Sequence, residues 1–267
     1  MPQEEREAIL DELKGGGFGA EIKARRIFAD EGFDSRAFYF FDKDGGKTRE
    51  MDIFAQRKGG VVTTHSDFHY LVIGEVKSGY TWILSDMWDP TKTDVEGAFE
   101  GPLPTWFSES PKGEDKSILE AACRGSDFIA RHISYSIHQR RVDGQDAWYE
   151  AAIKVTKASA DTATPSLTIN GEVVVPPNFF IIIPLIVLEG NLLAAIDGGN
   201  GLEIEPRDHA QVRFMMGGAD NRQEDVFIHV VTMEGLPAFL KCIMNAERKA
   251  SMAANRLYRQ VKTKDQT

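Results

Sequence analysis

Cysteine is scarce in this chain of 267 residues: Cys123 and Cys242 are the only two. They are isolated, with no CxxC pair, so neither a disulfide framework nor a cysteine-rich zinc site can be built from them. Long hydrophobic runs are missing as well. The most apolar stretch, FFIIIPLIVL at 179–188, contains Pro184 and is far shorter than the roughly 20 residues a spanning helix needs. It reads instead as a buried strand, with Pro184 predicting an edge position or a bulge. The opening residues, MPQEEREAIL, are acidic and hold no apolar signal core. Together these absences predict a cytoplasmic protein with no membrane association. Net positive charge is lacking too. A formal charge of -10 argues against a general electrostatic grip on nucleic acid, while leaving room for local basic patches or a metal-bridged contact. There is no internal repeat and no low-complexity segment.

What is present reads first as helices, then as strands. Residues 4–14 suggest a short amphipathic helix with Ile9 and Leu13 on one face, broken by GGGFG at 15–19. A second helix is expected over 20–31, with Ile22, Ile27 and Phe28 available for packing and Gly32 at its end. RAFYFF at 36–41 and TREMDIFA at 48–55 flank the turn DKDGGK, which predicts a hairpin. A third strand, LVIGEVKSG at 71–79, is apolar on both faces and so belongs deep in a sheet. The prolines and acids of 85–116 suggest an irregular connection. SILE at 117–120 matches a capping box, and Ile118, Ala122, Ile129, Ile133 and Ile137 form a stripe at helical spacing running toward Arg140. Another helix is expected over 145–159, with Trp148, Ala152 and Val155 inward. Strand-like runs follow at 172–176, 179–190, 192–197, 209–216 and 225–232, then an amphipathic helix marked by Leu236, Phe239, Leu240 and Ile243 and reaching about Val261.

The third strand poses a physical problem. Glu75 and Lys77 are two apart, so they point to the same side of a strand that is otherwise apolar. Burying each charge costs several kcal/mol, on the order of what a buried ion loses in hydration, unless partners compensate. The preceding strand adds Asp52 between Met51 and Ile53, and the helix before the hairpin adds Glu21. The order is helix Glu, strand Asp, strand Glu-x-Lys.

In those residues and that order the chain resembles the PD-(D/E)XK nuclease superfamily, the restriction-endonuclease-like fold. EMD at 50–52 and EVK at 75–77 stand at the motif positions, and Glu21 matches the helical acid that many members carry. The resemblance covers roughly residues 15–85. Met51 occupies the place of the name-giving proline, which is loosely kept in the family. The resemblance implies an α/β fold whose nuclease core has a mixed central sheet flanked by helices. It places that core at 1–115 and leaves 116–267 as a C-terminal α/β region packed on it. The implied activity is Mg²⁺- or Mn²⁺-dependent hydrolysis of phosphodiester bonds, with DNA as the partner and endonuclease action as the expectation. A dimer would pair two sites for double-strand cleavage.

The chemistry gives each residue a task. Mg²⁺ takes oxygen ligands and keeps several waters. Asp52 and Glu75 can supply carboxylate oxygens, the Val76 carbonyl a further one, and Glu21 can hold a metal-bound water or a second metal. Lys77 can orient the attacking water or stabilise developing negative charge. Plainer readings stand beside these. Glu75 and Lys77 can form a simple same-face ion pair, Asp52 can pair with Arg49, and Glu21 is favoured in a first helical turn by the helix dipole. The same fold can also serve as a binding or assembly module with little or no catalysis.

Other features carry less. GGGFGA has no preceding strand and lacks Walker spacing, so it reads as a helix break. His65 and His69 have no acidic partner set for zinc. His132 and His138, expected on a helix with Arg131, Arg140 and Arg141, suit a solvated face better than a phosphate contact. The basic stretch from Arg248 to Lys264 fits either a DNA contact or a counterweight to an acidic body, and Cys123 reads as core.

Overall fold

The computed structural model describes residues 1–15, 17–57, 68–88, 133–139, 146–163, 168–169, 172–173, 179–217, 223–248 and 252. Two helices open the chain, α1 (Gln3–Gly15) and α2 (Phe18–Asp30). The strands β1 (Phe33–Asp42), β2 (Lys47–Arg57) and β3 (Phe68–Trp88) follow, then β4 (Ile133–Gln139) and the helix α3 (Ala147–Ala163). A two-stranded pair, β5 (Thr168–Ile169) and β6 (Glu172–Val173), precedes β7 (Phe179–Asp197), β8 (Leu202–Pro206), β9 (His209–Gly217) and β10 (Gln223–Thr232). Helix α4 spans 236–248. The result is an α/β fold with a mixed, curled sheet flanked by helices. Among the described residues no helix is long and apolar enough to cross a membrane.

Among the described residues eight strands form one sheet in the order β1-β2-β3-β4-β9-β10-β7-β8, and β3 also pairs with β7. That second pairing curls the sheet back on itself, so β3, β4, β9, β10 and β7 make a closed circuit. β3 is long enough to serve three neighbours. Its Leu71–Gly74 segment pairs antiparallel with β2, its Trp82–Trp88 segment pairs antiparallel with β4, and its other edge runs parallel to β7.

Side-chain alternation along β3 feeds two cores. Leu71 and Ile73 join one core with α3, through Trp148, Ala151, Ala152, Val155 and Ala158. Tyr70, Val72 and Val76 join the other, where Ala20, Ala24 and Phe28 of α2 meet Leu236, Phe239, Leu240 and Ile243 of α4. Alanines on the buried stripes of α2 and α3 let both helices lie close to the sheet. Between Ser78 and Thr81 the β3–β7 register shifts by a bulge, with Gly79 at φ 78°. The extra residue switches the alternation, so that Trp82 and Leu84 return to the α3 core.

Several sequence expectations change. Residues 133–139 are a strand, not the end of a helix: Ile133 and Ile137 are four apart, a spacing that also keeps one face of a strand, and between them Ser134 is buried and donates to the Ser85 carbonyl at 2.6 Å. β3 continues to Trp88, so the irregular segment does not begin at 85. Pro184 faces Ile73 of β3, and the β10 ladder on the other side begins one residue later, at Leu185, so the proline is paired on one side only, a local edge position as expected. The two runs at 179–190 and 192–197 are one strand, β7. The capping box, Cys123, Arg131, His132, Arg140, Arg141, His65 and the basic residues after Arg248 lie outside the described residues.

Candidate functional site

The site begins where β2 and β3 part. Their ladder runs from Gln56↔Leu71 to Ile53↔Gly74 and then stops. At the same place β2 carries an extra residue relative to β1, between Phe54 opposite Arg36 and Met51 opposite Phe38. Such a bulge re-aims a side chain. Asp52 sits in it, and Asp52 Oδ2 accepts the Val76 N–H at 2.8 Å. A carboxylate thus takes a backbone amide beyond the end of the ladder.

Glu75 and Lys77 follow the alternation of Leu71 and Ile73 and face α3. Glu75 is 4% exposed. Lys77 Nζ donates to Glu75 Oε1 at 3.0 Å. Lys154 of α3 donates to the same oxygen at 2.7 Å and lies equally close to Oε2. The buried charge of Glu75 is therefore compensated by two ammonium groups, one from its own strand and one from the helix above it.

The other acids feel Glu75. Burial, and then the nearby Glu75 carboxylate, push the Asp52 carboxyl up to about 6, against the Val76 hydrogen bond and the Lys154 charge, which favour ionisation. Glu21 is also raised, first by burial, with Arg25 opposing and with Glu50 and Glu75 adding repulsion. Its Oε2 lies 3.4 Å from Arg25 Nη2, one helical turn on. α2 starts beside Ser78, since a Cβ on Gly17 would lie 3.8 Å from Ser78 Oγ. Its first turn thus stands over the parted end of the strands. Glu21, Asp52 and Glu75 are close enough to perturb one another, although Glu21 is engaged by Arg25.

Whether these residues suit a divalent cation can be judged from their oxygens. Among the described residues no group of three or more His, Cys, Asp or Glu is arranged to hold a metal. An all-protein cage is therefore not what they offer. Two carboxylates are nevertheless close enough to repel, and the buried Glu75 Oε2 has the Lys154 ammonium 2.7 Å away, where a cation could take its place. That donor set fits one hard cation held by one or two carboxylates and completed by water and a substrate phosphate, the usual Mg²⁺ arrangement.

Lys154 is the member that sequence reasoning missed. Its only signal was its place on the flank of the Ala151–Val155–Ala158 stripe, where a lysine ordinarily reaches solvent. Of the histidines, His69 falls within β3 and His138 is exposed on β4. Arg49 pairs with Asp42 at 2.6 Å, not with Asp52. Gly17 holds φ 82° just before α2, consistent with a helix break. Cys242 is an exposed free thiol on α4.

Compared with protein-family models, with curated proteins and with solved structures, the chain finds no match in any of the three.

Proposed function

We propose that this chain is a metal-dependent nuclease of the PD-(D/E)XK type, hydrolysing phosphodiester bonds in DNA as an endonuclease. The observation that carries the reading is the hydrogen bond from the Val76 amide to Asp52, which holds the aspartate beside Glu75 where the two strands separate. A chain built only for stability has little reason to place a second carboxylate, disfavoured by its neighbour, at the end of a ladder.

In this reading Asp52 and Glu75 present oxygens to a single Mg²⁺ or Mn²⁺. When bound, that ion supplies Lewis acidity toward the phosphate and lowers the pKa of a water. Lys77, on the same face as Glu75, orients the attacking water and stabilises charge that develops on the phosphate oxygens. Glu21 completes the acidic rim and holds a further water. Cutting both strands of a duplex would use two copies of the chain.

A second reading, a binding or assembly module without catalysis, draws on one observation: Glu75 is already paired with two lysines. Plasmid and linear DNA incubated with Mg²⁺ or Mn²⁺, beside a Lys77→Ala variant, separate the two. Cleavage by the parent and its loss in the variant support the nuclease. DNA or protein binding with no cleavage supports the module. RNA in the same assay tests whether the substrate is another phosphodiester.

A further inference from the structure

Glu75 is held by two ammonium groups where one would neutralise it. Lys77 lies 3.0 Å from Oε1, and Lys154 lies 2.7 Å from each oxygen. Glu75 is buried, and the Lys154 ammonium bridges its two oxygens. The helix that carries Lys154 is fixed. Ala151, Ala152, Val155 and Ala158 are buried against the sheet, and Lys157, three residues on, reaches Asp42 at 2.9 Å and Asp44 at 3.0 Å on the β1–β2 hairpin. Movement at this position therefore falls to the Lys154 side chain, a point charge on a flexible four-carbon stem. Both lysine side chains are 23% exposed, so neither is sealed from solvent.

We propose that Lys154 is a further residue of this site: its ammonium neutralises Glu75 in the metal-free protein, and with a divalent cation bound it turns onto the phosphate being cut. The inference rests on the nuclease reading above. An ammonium and a divalent cation compete for the same Glu75 oxygens. Like charges at that range repel, and the anion then within reach of Lys154 is the substrate phosphate. Lys77 keeps its role toward the water.

Removing the Lys154 charge therefore has opposite effects on two measurements, a split that a merely structural ion pair does not produce. The test titrates the full chain with Ca²⁺ and with Mn²⁺ by calorimetry and follows plasmid cleavage with Mg²⁺, for the parent and for Lys154→Met. The expected result is cation binding tightened about tenfold, because the competing charge is gone. Alongside it kcat falls about 100-fold, the scale of losing one group that stabilises transition-state charge. Lys154→Gln, which keeps a polar end in the same place, carries the test should the Met variant not fold. Unchanged or weaker cation binding overturns the proposal, and so does undiminished cleavage. A parent that binds cations and cuts DNA beside a variant that matches it removes only the role of Lys154. A parent that does neither removes the nuclease reading, and this inference with it.

Discussion

The Val76 amide donates to the Asp52 carboxylate at 2.8 Å, just past the last paired residues of two neighbouring strands. Asp52 therefore acts as a backbone acceptor and as a charge, and the two roles come apart on mutation. Asp52→Asn keeps an oxygen for the amide and removes a charge that burial and Glu75 disfavour. Because the folded carboxyl is raised to about 6, the native chain binds more protons than the unfolded one between about 4 and 6, and stability falls as pH rises through that window. Asp52→Asn is expected to melt above the parent at pH 8, and the difference should close by pH 4. Asp52→Ala leaves the amide without its acceptor and is expected to cost about 1–3 kcal/mol. Differential scanning fluorimetry against pH checks both, and the proposed nuclease role expects cleavage to be lost in both variants.

Glu75 is the reverse case, a charge the fold depends on. Glu75→Gln leaves Lys77 and Lys154 facing each other with no carboxylate between them. The expected loss is about 1–3 kcal/mol in urea unfolding. Adding Lys154→Met to that variant restores part of it, giving a coupling of about 1 kcal/mol or more. Strictly additive effects in the double-mutant cycle would contradict the ion-pair geometry.

The paired histidines His209 and His229 make a prediction independent of the site. His209 Nε2 and His229 Nδ1 lie 2.9 Å apart beside Phe239. Burial holds His209 down to about 4, and burial with the neighbouring ring holds His229 lower than usual. In the unfolded chain both would take a proton near 6.5, so the unfolded state binds more protons between about 4 and 6.5 and these residues subtract stability as pH falls through that range. Nitrogen-15 spectra of the folded protein at pH 5.5 are expected to show both rings neutral. A charged ring in either at that pH would refute the reading.

Gly190 of β7 faces the β3 bulge, and a Cβ built there would overlap the Tyr80 carbonyl oxygen. Gly190→Ala forces backbone movement three residues after Lys77. It is expected to cost about 1–3 kcal/mol, as overpacking commonly does, and to lower activity beyond what the lost stability explains. Comparing residual cleavage with the folded fraction at 25 °C separates the two effects.

How much of this was legible in the sequence depends on how local each signal is. The β1–β2 hairpin and the face shared by Glu75 and Lys77 follow from turn residues and the period of two. Helix α3 follows from its apolar stripe. Lys154 was not legible, because the acid it reaches belongs to a strand far earlier in the chain. β4 was misread because Ile133 and Ile137 suit a helix and a strand equally, and only its insertion between β3 and β9 decides. Pro184 was legible as a position paired on one side, because a missing N–H is tolerated where no ladder needs it, while the start of the β10 ladder at Leu185 is a tertiary fact.

The pairing of β3 with β7 sets a schedule for the growing chain. Ile73 meets Pro184 and Glu75 meets Ile186, partners separated by all of β4, α3 and the β5–β6 pair. A nascent chain leaving the ribosome shows the Glu75–Lys77 strand long before the strand that covers its edge has been synthesised. Contacts this distant close slowly and leave an unpaired strand open to wrong partners meanwhile. A slow refolding phase after dilution from urea is thus expected from the same strand that carries the acid and the lysine.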